Sequence, residues 1–233
     1  MNIKRKIAEG VASWLMFEFH SFRVRLFSEK YLTTPIGHIL SGVYGQAVNA
    51  EVNHPVLNEH KHWQGRPPQI DFGILRKDKT IEIAVESKWL GNSQVGVGEI
   101  IWDLIRLELL AHEYNTKCFF VLAGQRKRLQ LLFSSERFLE KRTNGKTRPV
   151  LRLAKIKKAA IRIDNPPNER VQLIKARILQ YPDVSMPSGI PSGYPEIYPI
   201  SGRNSDFQVY VWEITAFKNK PRFKSRENKL YNA

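Results

Sequence analysis

The sequence has one cysteine, Cys118, so no internal disulfide can form. That thiol lies in the apolar run Cys118-Phe119-Phe120-Val121-Leu122, where a buried, inert group fits better than a nucleophile, and the count suits a reducing cytoplasm. No apolar stretch approaches the roughly 20 residues that a membrane-spanning helix needs. Lys4-Arg5-Lys6 opens the chain as a signal sequence would. Glu9 and Glu18 interrupt the apolar stretch that should follow, and no small-residue cleavage site is evident. A cytoplasmic chain without a membrane partner is therefore expected.

Acids are scarce as well. Lys and Arg outnumber Asp and Glu 37 to 22, a formal net charge of +15, while 42% hydrophobic and 11% aromatic residues argue for a folded core over disorder. A positive field of this size attracts polyanions, and nucleic acid is the commonest. The charge is unevenly spread. Residues 31–125 carry 8 basic and 10 acidic side chains, residues 126–177 carry 16 and 4, and the stretch from Lys218 to Lys229 adds a net +5. A near-neutral half beside a strongly basic one suggests chemistry in the first and phosphate contact in the second.

Ile7, Val11, Leu15, Phe19 and Phe22 recur at helical spacing, so residues 5–32 read as one or two helices. A further helix is expected from Pro35, in its first turn, toward Glu51. Residues 52–68 read as loop, Ile70 to Leu75 as a strand, Arg76-Lys77-Asp78-Lys79 as a turn and Thr80 to Trp89 as a second strand. After the glycines of 91–98 come a helix over Glu99–Tyr114 and a buried strand over Cys118–Ala123. Short helices over Arg128–Phe133 and Glu136–Arg142, strand character over Val150–Ile163 and a helix over Glu169–Gln180 follow. Five prolines make 181–204 an extended loop, Phe207–Phe217 is a strand, and the basic tail from Lys218 is expected to be disordered in isolation. The organisation expected is a helical segment over 1–34, a main domain over 35–217 and a tail over 218–233. Within the domain lie a core (36–124), a basic elaboration (125–180), the Pro-rich loop (181–204) and the strand over 207–217.

Chemistry concentrates in the hairpin. Side chains alternate along a strand, which sets Glu82, Ala84, Glu86 and Lys88 on one face and Ile81, Ile83, Val85 and Trp89 on the other. A turn centred on Lys77-Asp78 puts Asp71 across from Ala84 or Val85, and twist can carry it toward Glu86. Two carboxylates and an ammonium converging at a sheet edge suit phosphodiester hydrolysis. Mg²⁺ or Mn²⁺ takes one or two carboxylates, keeps several waters and activates one of them, while the lysine stabilises developing charge. Flanking carboxylates would hold the proton on Lys88, so an electrostatic role fits better than a general base.

Asp71, fourteen intervening residues and then Glu86-Ser87-Lys88 on a strand resemble the motif of the PD-(D/E)xK nuclease superfamily, and Trp102-Asp103-Leu104-Ile105-Arg106-Leu107 is similar to the helix that often follows it. The resemblance covers about 36–124; no proline directly precedes Asp71. It implies an α/β fold with the restriction-endonuclease-like αβββαβ core, a mixed central sheet flanked by helices, and a basic C-terminal extension. It also implies a Mg²⁺-dependent nuclease, a DNA endonuclease of defence or repair. Asp71, Glu86 and Lys88 would be catalytic, with Asp71 and Glu86 on the metal. A further acid on the first core helix would be Glu51, with Glu59 as the alternative. Phosphate contacts are expected from Arg126, Lys127, Arg128, Arg152, Lys155, Lys157 and Lys158.

Blander accounts exist for each residue. Glu86 and Lys88 can be a solvated strand face, Asp103 and Arg106 a local ion pair three residues apart, and His38, His54, His60 and His62 a polar region without closed ligand spacing. The rival functions are a nucleic-acid-binding module that keeps the fold without the chemistry and a basic RNA-binding assembly protein. DNA is favoured over RNA from the resemblance alone, and oligomeric state stays open, a homodimer included.

Overall fold

The computed structural model describes residues 2–60, 65–91, 96–141, 145, 147–153, 159–203 and 206–232. Two helices open the chain, α1 (Ile3–His20) and α2 (Glu29–Tyr44). Ile3, Ile7, Ala8, Val11, Ala12 and Leu15 form one buried stripe on α1. Ser28 starts α2 by accepting the Tyr31 N–H on its hydroxyl at 3.1 Å, with Glu29 next to it in the first turn. The helix thus begins six residues before Pro35, which lies inside it, and it straddles the expected boundary at residue 34.

Strand β1 (Val48–Asn53) and a short helix α3 (Pro55–Glu59) lead to β2 (Gln69–Leu75) and β3 (Ile81–Leu90). Helix α4 (Val97–Glu113) then crosses to β4 (Lys117–Gln125). β1 pairs antiparallel with β2 and β2 antiparallel with β3, whereas β3 and β4 are parallel, as a helical crossover requires. β1 replaces the expected end of the first core helix. Its sequence Val-Asn-Ala-Glu-Val-Asn is mostly exposed, as suits an edge strand, and carries little strand signal.

The basic region supplies α5 (Arg126–Ser134), the hairpin β5 (Leu139–Lys141) and β6 (Thr147–Pro149), β7 (Ala159–Arg162) and α6 (Asn168–Leu179). The expected helix over 136–142 is instead one 3-10 turn followed by β5. The Pro-rich stretch holds β8 (Met186–Pro187), β9 (Gly189–Ser192) and β10 (Glu196–Tyr198), and the expected late strand is β11 (Phe207–Ile214). The main sheet runs β1-β2-β3-β4-β11-β9-β7, with β10 also on β11.

The tail is not loose. β12 (Arg222–Phe223) pairs with β8, the Arg222 guanidinium donates to both oxygens of the buried Glu108 at 2.8 and 3.0 Å, and the helical turn α7 (Lys229–Asn232) buries Tyr231. The expectation of disorder fails because the tail's apolar residues and Arg222 have partners that charge counting does not reveal.

The protein is thus mixed α/β, with a mixed sheet between two helical layers. α1 and α2 cover one face through Phe72, Ile83, Val85, Phe119, Val121 and Val209, and α4, α5 and α6 cover the other through Ala84, Phe120, Leu122 and Trp212. Phe119 and Phe120 point to opposite layers and are both fully buried, each contributing about 1.5–3 kcal/mol. Ile81 leaves its expected face, because the β2–β3 register shifts between Ile74 and Leu75. Among the described residues no helix is long and apolar enough to cross a membrane.

α4 and α6 approach closely at Gly98, where a Cβ would stand 2.5 Å from the Leu173 carbonyl oxygen. Gly98→Ala should cost about 1–3 kcal/mol in urea unfolding. An unchanged midpoint would mean that the two helices separate freely.

Candidate active site

The β2–β3 register decides the geometry. Phe72 lies opposite Val85 and Gly73 opposite Ala84, so the next step brings Asp71 level with Glu86, not with Ala84 or Val85. Asp71 Oδ2 accepts two hydrogen bonds of 2.7 Å from Ser87, one from its backbone N–H and one from its hydroxyl. The carboxylate is thereby held against the Glu86-Ser87-Lys88 segment.

Glu86 and Lys88 lie on the same side of β3 as Ala84, under α4. That side is not open. Glu86 is only 2% exposed and pairs with the guanidinium of Arg106, which also donates to the Gln69 carbonyl. Asp103, one turn earlier on α4, lies 3.4 Å from Arg106 and 3.0 Å from Lys88 Nζ. Lys88 Nζ also donates to Glu29 at 2.7 Å and so ties the first turn of α2 to α4. Asp103 and Arg106 do form the pair that their spacing suggests, but as part of this larger network.

Four carboxylates (Glu29, Asp71, Glu86 and Asp103) therefore surround two cations (Lys88 and Arg106), leaving two formal negative charges in excess. Burial pushes Glu86 well above the usual carboxylate range; Asp103 and Asp71 add to the rise and Arg106 opposes it. Burial also raises Asp71 against its Ser87 hydrogen bonds, and raises Glu29 against Lys88. For Lys88 burial favours loss of the proton, but Asp103 and Glu29 outweigh it and hold the ammonium more tightly than usual. An arrangement that disfavours carboxylate charge is one in which an added cation would be welcome.

Glu51 does not join the group. It lies in β1, with φ +53 and a side chain 70% exposed that pairs with Arg66 at 2.7 Å. Glu59 is exposed at the end of α3. The acid supplied by a helix is Glu29, which no periodicity distinguishes; only the Ser28-Glu29 cap hints at a helix start. Ser87 enters the sequence motif only as its unspecified middle residue, and His54, expected in a polar region, is buried instead.

His54 is fully buried and caps α3. Its Nδ1 accepts the Leu57 N–H at 3.2 Å, which leaves Nε2 to donate to the Arg106 carbonyl at 2.9 Å. Burial lowers its pKa from 6.5 to about 3, and the Arg106 charge assists against the opposing carbonyl hydrogen bond. The unfolded chain therefore binds a proton near pH 6.5 that the folded chain refuses until about pH 3. His54 contributes stability above pH 6.5 that is lost, by about 1.4 kcal/mol per unit, as pH falls through this window. The raised carboxyls act in the opposite sense, so the stability difference between wild type and His54→Asn isolates the effect. That difference should shrink on going from about pH 7 to about pH 5. A constant difference would mean that His54 is charged in the fold.

The basic candidates are partly engaged. Arg126 donates to the carbonyls of Pro199 (3.1 Å) and Ile200 (3.5 Å), Arg128 bonds the Gly91 carbonyl and Gln125, and the Arg152 guanidinium lies over the Tyr194 ring at 3.3 Å. Lys127 is exposed. Lys155, Lys157 and Lys158 lie outside the described residues, as does His62. Arg126, Lys127 and Arg128 follow directly on β4, at the sheet end that carries Lys88.

No family model matches the chain, and no curated protein or solved structure does either.

Proposed function

We propose that this chain is a divalent-metal-dependent nuclease of the PD-(D/E)xK type that hydrolyses phosphodiester bonds in nucleic acid, DNA before RNA. The observation that carries the reading is the meeting of Asp71, Glu86 and Lys88 at one end of adjacent strands. It is supported by the order α2-β1-β2-β3-α4-β4, which matches the αβββαβ order of the restriction-endonuclease-like core once the short α3 between β1 and β2 is set aside as an insertion, and by the +15 charge.

The residues suit Mg²⁺ or Mn²⁺ in one respect and resist it in another. With all four carboxyls ionised, the two formal negative charges in excess would balance one divalent ion, and Asp71 keeps Oδ1 outside its bonds to Ser87. No three His, Cys, Asp or Glu groups among the described residues form a ready-made cage. Mg²⁺ does not require one, since it is commonly held by one or two carboxylates and several waters. Asp71 would hold it with Glu86 or Asp103, and when bound the ion would polarise the phosphate and activate a water. Lys88, kept protonated by Asp103 and Glu29, stabilises the negative charge that develops on the phosphate oxygens. Ser87 orients Asp71, and Arg106 holds Glu86 in place.

The Arg106–Glu86 pair favours a second reading, a nucleic-acid-binding module that keeps this fold without cleavage. Incubating the protein with plasmid, linear duplex and single-stranded DNA in Mg²⁺, Mn²⁺, Ca²⁺ or EDTA separates the two. The nuclease reading expects cuts with Mg²⁺ or Mn²⁺, little with Ca²⁺ and none in EDTA. Cleavage in excess EDTA sinks it, and binding without cleavage under every condition selects the second reading.

A further inference from the structure

α1 ends in a turn in which the Arg23 N–H donates to the Glu18 carbonyl and the Phe22 N–H to the Phe19 carbonyl, both at 3.0 Å. The left-handed position of such a turn is usually glycine, which has no Cβ to strain it. Here it is Phe22, at φ +60 and 93% exposed. The fold gains no burial from this ring, and a bulky residue at positive φ is a genuine outlier. A side chain that breaks a local rule without an internal gain points to a role outside the fold. Val24 and Leu26 are exposed beside it, and between them Arg25 is exposed without an ion pair among the described residues.

This corner adjoins the candidate active site. Phe27 packs edge-on against Trp89, the residue after Lys88, with ring centroids 5.5 Å apart. Ser28 caps the helix whose first residue, Glu29, holds Lys88. Exposed apolar and cationic side chains thus reach solvent next to a site proposed to handle phosphates.

We infer that the α1–α2 corner is a stacking platform for an unpaired base, with Phe22 against the base and Arg25 on the neighbouring phosphate. The nucleic acid presented to Lys88 is then a single strand or a frayed end and not intact duplex. An aromatic face beside cations matches the way single strands are held, because unpaired bases offer ring faces that a closed duplex hides. The inference rests on the nuclease reading for the kind of polyanion, but it can be tested without cleavage.

Fluorescence anisotropy in EDTA, with a labelled oligothymidylate and a labelled blunt hairpin, compares wild type with Phe22→Ala, Phe22→Trp and Phe22→Gly. Wild type should prefer the single strand. Phe22→Ala should weaken single-strand binding by about five-fold or more and leave the hairpin unchanged, and Phe22→Trp should retain affinity. Phe22→Gly suits the backbone, so it should match or exceed the wild-type melting temperature while losing affinity as Phe22→Ala does; a folding defect cannot mimic that combination. Wild-type single-strand affinity in Phe22→Ala overturns the inference, as does equal loss on both ligands. So does a corner whose Phe22 instead drives binding to phosphatidylserine vesicles or self-association in sedimentation. If the protein cuts nothing in Mg²⁺ but Phe22-dependent strand binding persists, the nuclease reading fails and this inference stands.

Discussion

Glu86→Ala is expected to lower folding stability by about 3–5 kcal/mol, because it leaves the Arg106 guanidinium without its main partner under α4. Arg106 is 13% exposed and cannot shed its charge, so the loss cannot be relieved by deprotonation. For a domain whose total stability is on the order of 5–15 kcal/mol, that single change approaches unfolding. Glu86→Gln keeps a carbonyl acceptor for the guanidinium and should cost clearly less. Parallel urea titrations of the two variants check this. The sequence alone puts Glu86 on an open polar face, where replacement by alanine would leave the fold intact; burial beneath α4 reverses that expectation. Loss of cleavage in Glu86→Ala would accordingly say little about chemistry, whereas loss in Glu86→Gln would say much. Equal stability of Glu86→Ala and wild type would mean that the Arg106 pair does not form.

Lys88→Ala is expected to slow cleavage about 100- to 1000-fold, the usual cost of removing one group aimed at developing charge. With Asp103 and Glu29 holding its proton, Lys88 stays cationic across the neutral and mildly alkaline range, so the wild-type pH–rate profile should show no limb from its deprotonation there. A general-base lysine would instead produce an ascending limb as pH rises. Adding Asp71→Asn to Lys88→Ala should cost little more than either change alone, as for groups that act as a unit. Initial rates on one oligonucleotide, with folding confirmed by circular dichroism, give all three comparisons.

What the sequence reveals follows from where apolar side chains dominate. β2, β3, α4, β4 and β11 are legible because their residues fill the space between two layers, and their periodicity follows. That pattern also brings Glu86 and Lys88 to one side of β3 without any structure. β1 is hidden because an edge strand with mostly exposed side chains has no such pattern, and missing it puts Glu51 on a helix that has already ended. Glu29 is illegible for a different reason. Lys88 reaches it across 59 positions of sequence, and only the packing of α2 against β3 brings the two together. The same holds for the docked tail, whose Arg222–Glu108 pair joins residues 114 apart.

Whether the Asp71–Glu86–Lys88 group hydrolyses phosphodiester bonds can be read from the Mg²⁺-dependent cleavage rate of Asp71→Asn beside wild type. Asn keeps the side chain's shape and an oxygen for the Ser87 hydrogen bonds, so fold and nucleic-acid binding should persist while the charge that would hold the ion is gone. Wild type should show Mg²⁺-dependent cleavage, and Asp71→Asn a fall of about 100-fold or more at unchanged melting temperature. A folded Asp71→Asn protein that cuts at the wild-type rate would contradict that role for the group.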